Sequence, residues 1–378
     1  MDPNKAADPG LVFDLGAADY TKYQCKVGSL TGTACSGGAL DETYNLNLPS
    51  MTVGNVLGAV PVTMTRTVTN VGAASATYTA AASLPGFTTV VTPATLTLAP
   101  GAKATFTVKI TATTAVDNEW NYGSVVWSDG AGHVVKSPLT AKVGKAIVAP
   151  AELTSDRVSG SKLFNVKTGF AGRMTAIKGG LKAATLGDSV TLAPNDAANA
   201  LSVCKAGVDT ANVKVHQVTI AAGTVAARFA LRNSDTSHGA ADDFDLVMVN
   251  AAGVKVGESG NGGSNEAMQI TSPEAGNYKV CVHAYAGPEA SMSYRLSSWL
   301  VTSADIGGNF KVALPGKVVS GGNVVIGMSW SGLGNGERYL GAAQFLDAGG
   351  KVQATTALRV ETGAAPLAIN DKVAKLKK

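Results

Sequence analysis

The chain has 378 residues, a length that fits two to three domains at roughly 150 residues each. Hydrophobic residues make up 45% of it, which excludes an intrinsically disordered chain. The formal net charge is only +4, with 15% charged residues, whereas a nucleic-acid-binding domain needs a dense basic surface. No apolar run approaches the roughly 18 residues of a membrane-spanning helix. We therefore expect neither a nucleic-acid partner nor a membrane span.

Both ends of the chain are polar. The first thirty residues carry charges and prolines where a signal peptide has its apolar stretch, so no export signal is expected there. The C-terminal basic cluster predicts a solvated end rather than a binding surface. This cluster consists of Lys372, Lys375, Lys377 and Lys378.

Residues 1–45 differ in pattern from the rest of the chain. An Asp-Pro-Gly sequence predicts a turn, and residues 17–25 show helical spacing with two tyrosines on one face. A disulfide between Cys25 and Cys35 would close about ten residues. This segment buries too little apolar surface to fold by itself, so we expect a short helix that depends on a neighbour.

Residues 46–147 change to a period of two, which is typical of β-strands. Val62, Met64, Arg66 and Val68 share one face, and threonines occupy the other. Turn residues such as Pro and Gly end each run. Roughly seven short strands in about 100 residues predict a β-sandwich.

Residues 148–302 are predicted to form a second sandwich with an N-terminal extension. Strand-like runs return between residues 213 and 300, whereas residues 150–210 carry no assignable motif. A disulfide between Cys204 and Cys281 would tie the extension to the sandwich, and two buried thiols are the alternative. Residues 303–378 predict a small β unit of four or five strands that ends in the basic tail. The predicted fold class is therefore all-β, with tandem β-sandwich domains and a short helical N-terminal segment.

Motifs in the first 140 residues resemble one family. The sequence DPGLVFD at residues 8–14, followed by Asp19, Tyr20 and Cys25, is similar to the end of the catalytic domain in subtilisin-like serine proteases of the plant cucumisin type. The sequences RTVTNVG at residues 66–72 and WSDG at residues 127–130 are similar to the fibronectin type III-like domain that follows the protease in that family.

A second resemblance lies further along the chain. The sequence DDFDL at residues 242–246, followed by PEAGNY at residues 273–278, resembles the bacterial pre-peptidase C-terminal domain, a sandwich appended to secreted peptidases. The plant proteases generally end after the fibronectin-like domain, so this extension is typical of a bacterial secreted relative.

The resemblance implies both a domain order and a function. Residues 1–45 would end a subtilisin-like catalytic domain, residues 46–147 would be fibronectin-like, and residues 148–302 would be like the pre-peptidase C-terminal domain. The chain would be the non-catalytic C-terminal region of a secreted, extracellular serine endopeptidase. It would stabilise the catalytic domain of the same protein and assist binding of a protein substrate. The alternative is a stand-alone extracellular binding or adhesion module of β-sandwich domains.

No catalytic residue is predicted in this chain. The family's His-Gly-Thr-His and Gly-Thr-Ser-Met-Ala motifs belong upstream of residue 8, and neither occurs here. The sequence Ser237-His238-Gly239 resembles only part of the His motif, and a loop histidine is the favoured interpretation. The resemblance therefore implies that this chain is not an enzyme, whereas the parent protein is a serine hydrolase.

No cofactor is required by the sequence, with calcium as one alternative. Asp242, Asp243 and Asp245, with Asp235 and Glu266 nearby, could supply oxygen ligands for calcium. The order of residues in a known calcium loop is missing, so turn capping and solvation are the favoured use of these carboxylates. The exposed aromatic residues of the second sandwich could hold a polymeric substrate, whereas tryptophans in strands more often belong to the core.

Overall fold

A computed structural model describes residues 7–363 of the chain, so the predicted basic tail lies outside the described residues. The chain divides into two compact units. Unit 1 contains the residues up to Ile147 with two short later segments, and unit 2 contains most of the remainder. Both units are built from β-sandwiches, so the predicted all-β fold class is confirmed. Within residues 7–363, no helix has the length and apolarity needed to cross a membrane.

Unit 1 begins with a segment that carries one helix, α1 (Ala17–Lys26), as predicted. Gly16 precedes the helix, and the Asp19 side chain accepts a hydrogen bond from the Gly16 amide at 2.9 Å, which caps the first turn. The predicted disulfide between Cys25 and Cys35 is confirmed. It fastens the end of α1 to the following loop.

Two sheets form the sandwich of unit 1. The first has the order β1-β3-β7-β5 and the second the order β2-β9-β8-β4-β6. The strands of the first sheet are β1 (Leu11–Val12), β3 (Val62–Asn70), β5 (Phe87–Thr92) and β7 (Lys103–Ala112). The strands of the second are β2 (Met51–Leu57), β4 (Ala76–Ser83), β6 (Thr95–Leu98), β8 (Trp120–Ser128) and β9 (Val134–Gly144).

Alternating side chains of both sheets fill one core. In β3, Met64 and Val68 are buried, whereas the threonines between them face outward. The rings of Phe106 and Trp127, one from each sheet, meet edge to face with centroids 5.0 Å apart. The period-two pattern thus gives each strand one buried face, and the sandwich that these faces form carries the N-terminal segment.

Unit 2 contains two further sandwiches. One is made of the sheets β14-β23-β17-β20 and β16-β21-β18-β19 with the pair β15-β22. Its strands are β14 (Thr185–Leu186), β15 (Val190–Leu192), β16 (Val213–Ile220), β17 (Thr224–Ala230), β18 (Asp243–Asn250), β19 (Lys255–Ser259), β20 (Ala267–Thr271), β21 (Gly276–Ala286), β22 (Met292–Tyr294) and β23 (Ser297–Thr302).

The other sandwich joins strands from the two ends of unit 2. Its sheets include β12-β25-β24 and β11-β27-β26-β13, and a two-residue strand β10 (Ile147–Val148) lies where the units divide. Its strands are β11 (Glu152–Ser155), β12 (Gly160–Thr168), β13 (Thr175–Ala183), β24 (Lys311–Ala313), β25 (Asn323–Trp330), β26 (Arg338–Leu346) and β27 (Val352–Glu361).

This pairing differs from the grouping that the sequence suggested. The sequence grouped residues 148–302 together and left residues 303–378 as a separate unit. In the structure, β11 pairs with β27, β12 with β25 and β13 with β26. The sandwich of residues 185–302 is therefore inserted between the two halves of its neighbour. The physical reason is that a period-two pattern identifies a strand but not its partner.

One helix of unit 2 was not predicted. Helix α2 (Ala200–Ala206) starts after Asn199, whose side chain accepts a hydrogen bond from the Ser202 amide, and ends at Gly207 in the left-handed conformation. Its buried Cys204 forms the predicted disulfide with Cys281 of β21. This bond attaches α2 to the sheet that it covers.

Candidate functional site

The first candidate site is the surface of unit 1 where the N-terminal segment meets the sandwich. Leu11 and Val12 pair with Asn70 and Thr69 at the edge of β3, so the segment extends the first sheet. Leu11 is buried in the core. The segment is therefore an integral part of the sandwich and not an appended tail.

A buried arginine holds the connection between this segment and β2. Arg66 is 2% exposed and donates hydrogen bonds to the carbonyl oxygens of Tyr44, Leu48 and Ser50 at 2.6–3.0 Å. Burial lowers the pKa of its guanidinium to about 10, which is still far above neutral pH. The dipoles of these carbonyl groups thus take the place of the water that would otherwise solvate the charged Arg66 side chain.

Two asparagines extend this network to β3. The Asn45 side chain accepts from the Thr65 amide at 2.9 Å, and Asn47 accepts from the Thr67 amide at 2.7 Å. Asn47 also donates to the carbonyl oxygen of Asp14 at 3.1 Å. The asparagine side chains therefore accept hydrogen bonds from the main chain of β3, as a neighbouring strand would, and join β3 to the loop.

A histidine joins residues 8–10 to the loop after β8. The His133 Nδ1 atom lies 2.5 Å from Asp129 Oδ2, and its Nε2 atom lies 3.2 Å from Asp8 Oδ1. The hydrogen bonds to Asp129 and then to Asp8 raise the pKa of His133 above its usual value. A Cβ atom at Gly10 would lie 2.5 Å from the Tyr78 hydroxyl, so only glycine allows this close approach.

Helix α1, by contrast, buries none of its side chains among the described residues. Tyr20 is 47% exposed, and Val27 just after the helix is 45% exposed. The helix is nevertheless held at both ends, by the strand pairing of residues 11–12 and by the disulfide at Cys25. Apolar side chains of this segment are therefore exposed to solvent at Tyr20 and Val27.

A second exposed surface of unit 1 carries aromatic side chains. Trp120 and Tyr122 project from the same face of β8 and are 43% and 68% exposed. The Lys142 amine lies 5.4 Å from the centroid of the Trp120 ring, and the indole reaches towards Gly54. In unit 2, by contrast, Trp299 and Trp330 are buried.

The sequence Ser237-His238-Gly239 forms a hydrogen-bonded cluster with Asp242. His238 Nδ1 lies 2.8 Å from Asp242 Oδ1 and 3.1 Å from Ser237 Oγ. Ser237 Oγ also donates to Asp242 Oδ2 at 3.0 Å. A hydrolytic triad needs the serine and the carboxylate on opposite ring nitrogens, so that the histidine can relay a proton. Here both groups lie at the same nitrogen, which is the geometry of a loop cap.

The carboxylates considered for calcium each have different partners. Asp235 pairs with Arg338, Asp245 Oδ2 lies 3.8 Å from His283, and Glu266 accepts from the Asn261 amide at 2.7 Å. The buried Asp242 accepts from the His238 amide. Among residues 7–363 no group of three or more such side chains is arranged to hold a metal ion.

Asp243 differs from the other carboxylates. Its Oδ1 atom is buried and has no hydrogen-bond partner among the described residues. Burial, followed by the nearby charge of Asp245, raises the pKa of this carboxyl. Turn capping and solvation stay the prediction for these carboxylates, with calcium binding as the alternative.

The sequence analysis did not identify a charged cluster in the interior of unit 2. Arg228, Arg232, Arg359 and Glu361 are all at most 6% exposed. Arg228 lies in the strand sequence Val-Ala-Ala-Arg-Phe-Ala. An arginine within such an apolar run was the one sequence signal that could have indicated a buried charged group.

Comparisons with known proteins define the class to which unit 1 belongs. Residues 45–141 match the family model of the fibronectin type-III domain, so the sandwich of unit 1 is a fibronectin type III-like domain. The chain is also similar to subtilisin-like proteases of Arabidopsis thaliana, as the motifs predicted. It is 36% identical over 154 residues to SBT3.16 and 39% identical over 155 residues to SBT3.13.

These matches cover 38% of this chain and 20% of each plant protein. The chain thus spans about a fifth of the length of the curated relatives it matches. Among solved structures, the secreted serine protease VesC from Vibrio cholerae aligns at 13% identity and a TM-score of 0.22, over 67% of this chain and 49% of that one. This likeness is too weak to carry an argument.

Proposed function

We propose that the chain is the non-catalytic C-terminal region of a secreted subtilisin-like serine endopeptidase and that its fibronectin type III-like domain stabilises the catalytic domain. The observation that carries this proposal is the contrast between the anchored segment and the unpacked helix. Residues 11–12 and 44–50 are fixed to the sandwich by β1 and Arg66, whereas α1 buries none of its side chains among the described residues.

The anchored helix would act as a shared element. Its exposed side chains, including Tyr20 and Val27, would pack against the protease domain, while the strand at residues 11–12 holds the helix in place. Because the anchor is part of the sandwich, the ordering entropy of α1 is already lost before docking, which favours association. The two disulfides support an extracellular location.

The proposal is tested in the longer protein that includes the protease domain. Tyr20→Asp and Val27→Asp should place charges in the interface and lower the temperature at which protease activity is lost. Val90→Asp is the matched control, because Val90 is equally exposed on β5, away from the segment. Equal inactivation temperatures in all three variants would contradict a stabilising contact.

A second measurement uses this chain alone. The proposal expects the isolated chain to self-associate through α1 and to become monodisperse when it is co-expressed with the protease domain. Tyr20→Asp should reduce the self-association of the isolated chain, whereas Val90→Asp should not. A chain that is already monodisperse by itself would count against the proposal.

The exposed aromatic pair favours substrate binding as a second candidate function. Trp120 and Tyr122 are exposed on one face of β8, with the Lys142 amine over the Trp120 ring, and exposed aromatic rings can stack on extended polymers. Co-sedimentation with insoluble protein and polysaccharide tests this function. The double variant Trp120→Ala/Tyr122→Ala should lose retention, whereas Tyr285→Ala, which removes an exposed tyrosine of unit 2, should not.

The same experiment separates the main proposal from the alternative of an adhesion module. Retention of the isolated chain on the insoluble polymer, with no effect of Tyr20→Asp or Val27→Asp on protease stability, would favour a stand-alone binding module.

We also propose that the sandwich of residues 185–302 is like the pre-peptidase C-terminal domain. The two motifs that suggest this lie on its sheet, at β18 and before and within β21.

A further inference from the structure

The second sheet of unit 1, β2-β9-β8-β4-β6, has an outer face that carries two exposed aromatic rings, those of Trp120 and Tyr122. Their cross-strand partners on β9 are Lys142 and Thr140, and Thr140 is also paired with Thr52 of β2. Paired residues of neighbouring strands point to the same side of a sheet. These five residues therefore lie together, and we call them the aromatic patch.

The indole of Trp120 is fixed by residues of two neighbouring strands. A Cβ atom at Gly54 of β2 would lie 3.7 Å from the Cη2 atom of the indole, so the ring extends across β9 towards β2. The Lys142 amine lies 5.4 Å from the centroid of the same ring, which is within the range of a cation–π contact. A ligand that stacks on this ring therefore loses little affinity in ordering it.

Hydroxyl groups are numerous on the same face of the sheet. The Oγ1 atoms of Thr52 and Thr140 lie 2.9 Å apart, and those of Thr77 and Thr97 are equally close. Each pair shares one hydrogen bond and retains acceptor capacity for a ligand. Alternation along the strands places three further hydroxyl side chains on this face, namely Thr79, Ser83 and Ser124. The face thus offers aromatic rings and hydroxyl groups side by side.

The charge of this face is positive. Lys136 and Lys142 alternate onto the outer face of β9, and none of the five strands of the sheet contains an aspartate or a glutamate. Neither lysine forms an ion pair within residues 7–363. Glu119 directly precedes β8, and its single charge does not cancel the two lysines. The face is therefore complementary to a negatively charged ligand.

A peptide cannot add as a strand at the aromatic patch. Strand β8 pairs with β4 and β9, and β9 pairs with β2 and β8, so the main-chain groups of both strands already hydrogen-bond to neighbours. Recognition of an extended peptide by a sheet uses an unpaired edge, whereas the patch offers only side chains. This difference favours a sugar polymer over an extended peptide.

We propose that the aromatic patch binds a polysaccharide that carries carboxylate groups, of the uronic acid class. This ligand class rests on the second candidate function, polymer binding by Trp120 and Tyr122, and specifies it. The C–H faces of the sugar rings stack on the two aromatic rings, and a carboxylate pairs with the Lys142 amine. Thr52 and Thr140 exchange hydrogen bonds with sugar hydroxyls. Lys136, further along β9, pairs with another carboxylate of the same polymer.

The test uses the unmodified full chain and two forms of one polymer. Polygalacturonate carries a carboxylate on each sugar, whereas its methyl-esterified form has the same backbone without that charge. Migration of the chain through native gels that contain increasing amounts of either polymer gives the two dissociation constants. Polygalacturonate should bind about fivefold more tightly, and the difference should shrink at high salt. Equal affinity for the two forms would overturn the uronic acid assignment.

Two double variants locate the contacts. Trp120→Ala/Tyr122→Ala should weaken the binding of polygalacturonate about tenfold, because both stacking surfaces are lost. Lys136→Gln/Lys142→Gln should reduce the affinity for polygalacturonate to that for the esterified polymer, because the ion pairs are lost. An undiminished affinity in either double variant would contradict the assignment of the site.

Matched controls remove the same kinds of side chain elsewhere. Tyr285→Ala replaces an exposed tyrosine of unit 2, and Lys109→Gln replaces an exposed lysine of β7 in the other sheet of unit 1. Both should bind polygalacturonate as the unmodified chain does. A loss of binding in Lys109→Gln equal to that in the double lysine variant would overturn the assignment, because it would show that only the total charge matters.

Two further outcomes separate this ligand from its alternatives. Polyglutamate is an acidic polypeptide without sugar rings, so binding as tight as that of polygalacturonate would overturn the proposal in favour of an acidic protein partner. Absence of polygalacturonate binding would overturn the uronic acid assignment alone if Trp120→Ala/Tyr122→Ala still abolishes retention on an insoluble polymer. If that retention is absent as well, the second candidate function fails with it.

Discussion

The guanidinium of Arg66 donates a hydrogen bond to the carbonyl oxygen of Leu48 across 2.6 Å. Arg66 belongs to a central position of β3, and Leu48 belongs to the irregular segment that leads into β2. The same guanidinium reaches the carbonyls of Tyr44 and Ser50. One buried side chain therefore fixes a stretch of main chain that has few strand contacts of its own.

Arg66→Met should destabilise unit 1 by about 3 kcal/mol, because the carbonyl groups of Tyr44, Leu48 and Ser50 together lose their charged donor. Urea unfolding followed by the fluorescence of the buried Trp127 measures this loss. Lys109→Met, a substitution of an exposed residue on the neighbouring β7, is the control and should change stability by less than about 0.5 kcal/mol. A loss of that small size for Arg66→Met would show that the segment is held by other contacts.

His133 should make the attachment of residues 8–14 dependent on pH. Its pKa is raised by Asp129 and then by Asp8, so the stabilisation is complete below the unfolded value of about 6.5 and is lost as pH rises through the higher folded pKa. Hydrogen exchange of residues 8–14, corrected for the intrinsic rate, should therefore accelerate on going from mildly acidic to mildly alkaline solution.

The variant His133→Gln removes the titrating group, and exchange of residues 8–14 should then be fast throughout this range. Amides of β27, which belongs to the other unit and is remote in sequence, provide the internal reference. If the unsubstituted chain shows no pH dependence in residues 8–14, the ion pairs with Asp8 and Asp129 contribute nothing to the attachment.

The two disulfides should differ in their effect on stability. The bond between Cys204 and Cys281 spans 77 residues, whereas that between Cys25 and Cys35 spans 10. The loss of loop entropy in the unfolded chain predicts about 4.5 kcal/mol for the long loop and about 2.7 kcal/mol for the short one. Cys204→Ala/Cys281→Ala should therefore lower the unfolding temperature of unit 2, and Cys25→Ala/Cys35→Ala should affect only unit 1. A temperature for unit 2 that is unchanged in the first double variant would contradict this assignment.

Local patterns predicted the strands, the first helix and both disulfides. The alternation in β3 also placed Arg66 on the same face as Met64 and Val68, so its burial could be foreseen, but its partners Tyr44 and Leu48 lie in a segment with no regular pattern. The partners of β11 and β13 could not be predicted, because main-chain hydrogen bonding across a sheet leaves no trace in either strand's own sequence.

The charged interior of unit 2 shows the same limit. Arg228 interrupts an apolar strand, which indicates an unusual environment, but its neighbours Glu152 and Glu361 come from opposite ends of unit 2. Only the inserted topology brings them together. The exposure of Trp120 and Tyr122 could likewise not be predicted, because a strand that contains aromatic residues has the same sequence pattern whether their face is covered by protein or open to solvent.

Ser237 should be unreactive towards serine-directed reagents. Its Oγ donates to Asp242 Oδ2 and also lies against the same His238 nitrogen that Asp242 occupies. Burial opposes ionisation of Asp242, yet hydrogen bonds from the His238 amide and ring keep the pKa of its carboxyl below the usual value. The hydroxyl proton of Ser237 is thus directed at the weakly basic carboxylate of Asp242. The His238 nitrogen that faces Ser237 already lies against Asp242.

A fluorophosphonate probe should therefore leave the purified chain unlabelled, and casein should stay intact in its presence. Ser237→Ala would remove one of the hydrogen bonds of this loop and lower the stability of unit 2 by about 1 kcal/mol, without any change in reactivity. Labelling of the unmodified chain that is abolished in Ser237→Ala would contradict the loop-cap interpretation, because it would require His238 to turn and present its other nitrogen to the serine.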